Sequence, residues 1–69
     1  MTQTLVKAWT AAKDRLKDAG IDQPSIDARL MLEVAAGVTR TEIVTDPYRE
    51  LTAEQAAMLD AFLARRARR

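Results

Sequence analysis

The 69-residue chain contains no cysteine and no histidine. Without cysteine there is no disulfide and no thiolate ligand for zinc. Without histidine, the side chain that most often serves as a general base near neutral pH is missing. Glycine and proline occur only twice each, and the two glycines, Gly20 and Gly37, stand too far apart to form a phosphate-cradling loop. Long apolar runs are also missing. Lys7, Lys13 and Asp14 interrupt the N-terminal stretch, so it has no signal-peptide core. No segment approaches the roughly 18 apolar residues of a membrane span. A cytoplasmic protein is expected.

What is present suits one small folded domain. Apolar residues make up 48% of the chain, which argues against disorder. Thirteen of them are alanine, which favours helix and close helix packing but contributes little buried area. The net charge of +1 conceals an asymmetry: residues 1–64 hold seven basic and ten acidic side chains, whereas 65–69 add four arginines. The basic character therefore sits in a tail.

Along the chain the apolar period is helical throughout. Leu5, Trp9, Ala12, Leu16 and Ala19 form one stripe with a period near 3.6, which predicts a helix over Thr4 to Ala19. Thr2 or Thr4 is positioned to cap it, and Gly20 to end it in the left-handed conformation. Pro24 suits the first turn of a second helix, Pro24 to Ala36, with Asp22 as candidate cap and Asp27 near the positive helix end. Ile26, Leu30, Met31, Leu32, Val34 and Ala35 surround much of this helix, so it is expected to be central and buried on more than one side. Arg29 and Glu33, four apart, are placed to pair. Thr39-Arg40-Thr41-Glu42 reads as a capping box for a short helix from Arg40 to Thr45, with Ile43 and Val44 as its apolar contacts. Asp46-Pro47 stops it. Thr52 to Gln55 is a second capping box, opening a last helix from Ala53 whose Ala56, Met58, Leu59, Phe62 and Leu63 face inward. The expected fold is all-α: an antiparallel bundle of three main helices and one short one.

The chemical inventory is sparse. Asp14 and Asp18 share a helix face, and the spacing favours a solvated polar strip over a metal or shared-proton site. Trp9 belongs to the apolar stripe, which favours a core role over a stacking platform. Tyr48 lies in a loop beside Pro47, which favours an anchor for its own loop over a contact for a partner. The terminal arginines have two readings. They complement the dipole of the last helix, or they attract nucleic-acid phosphates; the acidic body favours the first. The last helix shows no Gly, Pro or polar cap after Arg69, which is expected of a helix cut from a longer protein and equally of a frayed native terminus.

Taken in order, these residues carry a likeness to a known family. The pattern runs Leu16, Ala19-Gly20-Ile21-Asp22, Pro24, Asp27-Ala28-Arg29-Leu30-Met31-Leu32, Gly37, Thr39-Arg40-Thr41-Glu42, Asp46-Pro47, Arg49-Glu50-Leu51-Thr52 and Leu63-Ala64-Arg65-Arg66. It resembles the N-terminal domain of the HemK/PrmC family, the protein-(glutamine-N5) methyltransferases of peptide chain release factors. The likeness covers essentially the whole chain and rests on order and spacing rather than on one motif. It implies that residues 1–69 are a helical N-terminal domain of a two-domain parent. The parent's catalytic domain would bind S-adenosylmethionine and methylate the glutamine of a Gly-Gly-Gln motif. The N-terminal domain would help to engage the release factor.

No catalytic, cofactor-binding or metal-binding residue is carried over by the likeness. Asp46-Pro47-Tyr48 lacks the second proline of the Asn-Pro-Pro-Tyr motif of such enzymes, and no strand and glycine loop precede it. It reads as a helix stop and a loop. The expected partner contact is the loop Asp46, Pro47, Tyr48, Arg49 and Glu50, with the polar face of the first helix. Arg65, Arg66, Arg68 and Arg69 are expected at the junction with the catalytic domain, and nucleic acid is not the expected partner. The alternatives are a stand-alone module that binds RNA or the ribosome through those arginines, and a bundle with no specific partner.

Overall fold

The computed structural model describes residues 3–68. Four helices follow one another: α1 (Leu5–Asp18), α2 (Pro24–Ala36), α3 (Arg40–Thr45) and α4 (Ala53–Arg68). The three long helices pack pairwise on one another. The only strand-like pairing among the described residues is an isolated bridge between Thr4 and Glu50.

Local chemistry sets the helix ends. Thr4 caps α1 by accepting a hydrogen bond from the Lys7 amide, and Thr2, the other candidate, lies outside the described residues. At the other end Gly20 takes φ +83°. The Gly20 amide donates to the Lys17 carbonyl and the Ile21 amide to the Leu16 carbonyl. That pair of bonds is the Schellman arrangement, and the buried Ile21 joins Leu16 in the core as its apolar clasp. Helix α2 ends in the same way, with Gly37 at φ +65°, the Val38 amide on the Glu33 carbonyl, and Val38 buried. Both glycines are needed there because an L side chain resists positive φ.

Asp22 does not cap α2. Gln23 holds that position without a side-chain hydrogen bond, and Pro24 lowers the need for one because it has no N–H to satisfy. The capping box at α4 is complete: Gln55 N donates to Thr52 Oγ1 and Thr52 N to Gln55 Oε1. The one at α3 is half made. Thr39 caps the Glu42 amide, while the Glu42 carboxylate turns to Arg49.

The core is Leu5, Ala8, Ala12 and Leu16 of α1, Ala28, Leu32, Ala35 and Ala36 of α2, Ile43 of α3, and Leu59 and Leu63 of α4, closed by Ile21, Val38 and Leu51. Trp9 packs at its edge, with Nε1 donating to the Ser25 carbonyl and the Lys13 ammonium over the ring. This is the expected structural role for Trp9. Helix α4 runs antiparallel to α2, since Gln55 reaches the Ala36 carbonyl and Arg66 reaches Asp27.

Two expectations fail on burial. Helix α2 is buried on one side only. Ile26, Leu30 and Val34 are 45%, 50% and 67% exposed, because α1 and α4 cover just one flank of the helix. Val44 and Met58 also face solvent. The inner row of α2 is Ala28, Leu32 and Ala35, so the bulkier aliphatic row is the outer one.

Replacing Leu32 by Ala is expected to lower the unfolding free energy by about 2–5 kcal/mol, and Leu30→Ala by less than about 1 kcal/mol. Urea denaturation of the two variants checks this; equal losses would contradict the one-sided burial.

Candidate functional site

A helix opens with backbone N–H groups that have no partner within the helix. In α1 the Lys7 amide goes to Thr4 Oγ1. The Leu5 and Val6 amides are met from far along the chain, by the carbonyls of Arg49 and Pro47 at 2.9 and 3.0 Å. The Leu51 amide then donates to the Gln3 carbonyl, beside the Thr4–Glu50 bridge. The segment between α3 and α4 therefore lies across the start of α1 and serves as its cap.

This segment has a defined shape. The Arg49 amide donates to the Asp46 carbonyl, closing a four-residue turn with Pro47 and Tyr48 at its centre. Proline suits the first central position because its ring presets φ. The Arg49 guanidinium pairs with Glu42 at 2.7 Å, a half-exposed contact that orients more than it stabilises. Leu51 anchors the exit of the segment in the core. With the backbone fixed on α1, the Tyr48 ring stands at the tip and is 78% exposed.

Of the five residues expected at a partner contact, Asp46 to Arg49 thus form one ordered turn, and Glu50 follows it in the bridge to Thr4. Of the two readings of Tyr48, the loop anchor loses support: the backbone carbonyls on either side of it and Leu51 hold the segment. Val44, read from the sequence as an inward contact, is 72% exposed on the helix leading into the turn. Its exposure had one sequence signal: a six-residue helix buries a single apolar position, and Ile43 takes it. The polar face of α1 carries Lys7, Asp14, Lys17 and Asp18 in solvent, while Arg15 reaches across to Asp60 of α4 at 2.7 Å.

The C-terminal arginines divide. Arg66 binds Asp27 of α2, with Nε and Nη2 at 3.2 and 3.0 Å from one carboxylate oxygen. Arg65 lies over the Phe62 ring, 5.8 Å from its centre. Both are therefore engaged with the bundle. The side chain of Arg68 and the whole of Arg69 lie outside the described residues.

S-adenosylmethionine, implied by the likeness for a parent, does not fit the residues present. Gly20 and Gly37 both follow helix C-termini, where carbonyls converge, whereas a nucleotide-like cofactor wants N–H groups from a glycine loop at a helix start. Among the described residues no cluster of three acidic side chains is placed to hold a metal ion, and no helix is long and apolar enough to cross a membrane. What the geometry does define is a helical module that displays an aromatic-tipped turn hydrogen-bonded to the start of α1.

Comparison with known proteins specifies the family. The family model described as the PrmC N-terminal domain matches residues 7–69, and the chain belongs to that family. It is 88% identical, over its whole length, to a release factor glutamine methyltransferase of Caulobacter vibrioides, of which it covers 24%. Proteins of the same description from Agrobacterium fabrum and Koribacter versatilis are 37% and 36% identical over 83% and 91% of this chain. The chain spans between 20% and 24% of the length of these relatives. No solved structure matches it.

Replacing Tyr48 by Ala is expected to leave the unfolding free energy within about 0.5 kcal/mol of the parent value. Thermal and urea unfolding test this, and a loss above about 1 kcal/mol would make Tyr48 a packing anchor.

Proposed function

We propose that this chain is the substrate-engaging N-terminal domain of an S-adenosylmethionine-dependent protein-(glutamine-N5) methyltransferase acting on peptide chain release factors. The methyl transfer, the cofactor and the recognition of a Gly-Gly-Gln glutamine belong to a catalytic domain beyond residue 69. The same reading puts the protein in the cytoplasm, where release factors act.

One observation carries the assignment of the contact surface: the segment Asp46 to Glu50, held on the start of α1 with Tyr48 at its tip. An exposed tyrosine on a fixed backbone offers a large amphipathic contact at little cost in conformational entropy. Asp46, Arg49 and Glu50 around it supply a polar rim of mixed charge, the usual surround of an anchoring aromatic. Family membership supports the kind of partner, since the relatives are described as release factor glutamine methyltransferases.

The test is an NMR titration of isotope-labelled residues 1–69 with an unmodified release factor. Saturable shifts are expected at Val44 and Asp46 to Glu50, and Tyr48→Ala is expected to weaken binding about tenfold, equivalent to about 1.4 kcal/mol. A folded domain showing no saturable shift would refute recognition by this module alone.

A further inference from the structure

The outer row of α2 stands apart from the recognition turn. Ile26, Leu30 and Val34 are spaced by four and share a face turned away from the core. Leu30 and Val34 continue across Met31 onto Phe62, Arg65 and Arg66 of α4, forming an open groove of about 530 Å³. Isolated apolar side chains in solvent need no explanation, whereas a contiguous apolar groove with a charged edge marks a contact surface. The segment at 46–50 precedes α4, and the groove involves the last turns of that helix. At 1.5 Å per residue the two lie about 15–20 Å apart along α4.

We propose that this groove is the seat of the polypeptide that follows α4 in the full-length methyltransferase, its apolar surface covering Leu30, Val34 and Phe62 and a carboxylate meeting Arg65. The proposal rests on the reading of this chain as the N-terminal domain of a longer enzyme. Its first support is position. Residues matching this chain make up 24% or less of each relative, under a family described as N-terminal, so most of those chains lies past α4. Whatever follows α4 leaves from the helix end whose Arg65 and Arg66 line the groove. A tethered segment is present there at an effective concentration on the order of millimolar, well above that of a free partner.

The second support is charge. Arg66 is matched by Asp27, while Arg65 has only the Phe62 ring and no carboxylate among the described residues. An acidic group on the occupant completes that pair. A second copy of this domain suits the groove less well, because a two-fold pairing brings identical arginine edges to one patch.

Cysteine footprinting tests the seat, since the chain has no cysteine of its own. Val34→Cys and, separately, Leu30→Cys are made in two settings: residues 1–69, and the same residues joined to the remainder of the Caulobacter vibrioides relative. Glu54→Cys, exposed at the other end of α4, is the control. Alkylation is read site by site by mass spectrometry after circular dichroism confirms folding. In the long protein, residues 34 and 30 are expected to react at least tenfold more slowly than in the short one, with residue 54 changed less than threefold. Equal rates in both settings overturn the proposal. So does protection that grows with the concentration of residues 1–69 alone, which points to self-association. Protection appearing only when a release factor is added overturns it as well and assigns the groove to the substrate. Release-factor methylation by the long protein is assayed in parallel. Methylation without protection removes the seat and leaves the functional reading standing; protection without methylation supports the seat and removes that reading.

Discussion

Two hydrogen bonds hold the architecture of the proposed contact surface together: Leu5 N–H to the Arg49 carbonyl and Val6 N–H to the Pro47 carbonyl. Each satisfies a donor that the first turn of α1 cannot satisfy within the helix. Each also fixes one side of the turn that carries Tyr48. The same contact thus caps a helix and shapes a display surface. It places Leu51 in the core and sets the point from which Thr52 starts α4. Removing it would leave two amides without partners and the Asp46 to Glu50 backbone without a platform.

Around that constraint the bundle is assembled from small parts. Eight of the fourteen core residues lie in α1 and α2 as alanine or leucine at helical spacing, and among the described residues only Leu5, Leu16 and Leu32 are large and fully buried. Alanine lets helix backbones approach but supplies little apolar area. The edges are therefore laced by specific polar links. Trp9 joins α1 to the start of α2, Gln55 joins α4 to the end of α2, and Arg15 and Arg66 join helices through Asp60 and Asp27. The exposed ion pairs contribute little to stability individually, and their value is in fixing helix register.

Much of this was legible in the sequence because it depends on local chemistry. The two glycines end helices, Thr52 and Gln55 cap each other, and α2 and α3 run over the residues that their flanking signals indicate. Long-range features were less legible. Nothing local tells Pro47 and Arg49 that their carbonyls will meet α1, because that depends on how four helices come together. The sidedness of α2 was obscured for a different reason. Apolar residues surround the helix, and periodicity alone cannot say which row meets a neighbour. Residue size held a clue: an alanine-rich row suits close packing, and Ile26, Leu30 and Val34 are too bulky for it. Val44 is exposed for a related reason: a six-residue helix turns one apolar position inward, and Ile43 occupies it.

The Tyr48 turn joins parts of the chain that are more than forty residues apart in sequence, Gln3 to Leu51 and Leu5 to Arg49. Such contacts become favourable only after the intervening helices have formed and docked, because the entropy of closing a long loop must be offset first. The turn therefore depends on the docking of the helices that bring its two supports together. A domain caught partly folded, or with α1 frayed at its start, has the same tyrosine in its sequence but no fixed surface to offer. The geometry makes presentation of Tyr48 conditional on a finished fold, so the turn acts as a built-in report of the integrity of the domain that carries it.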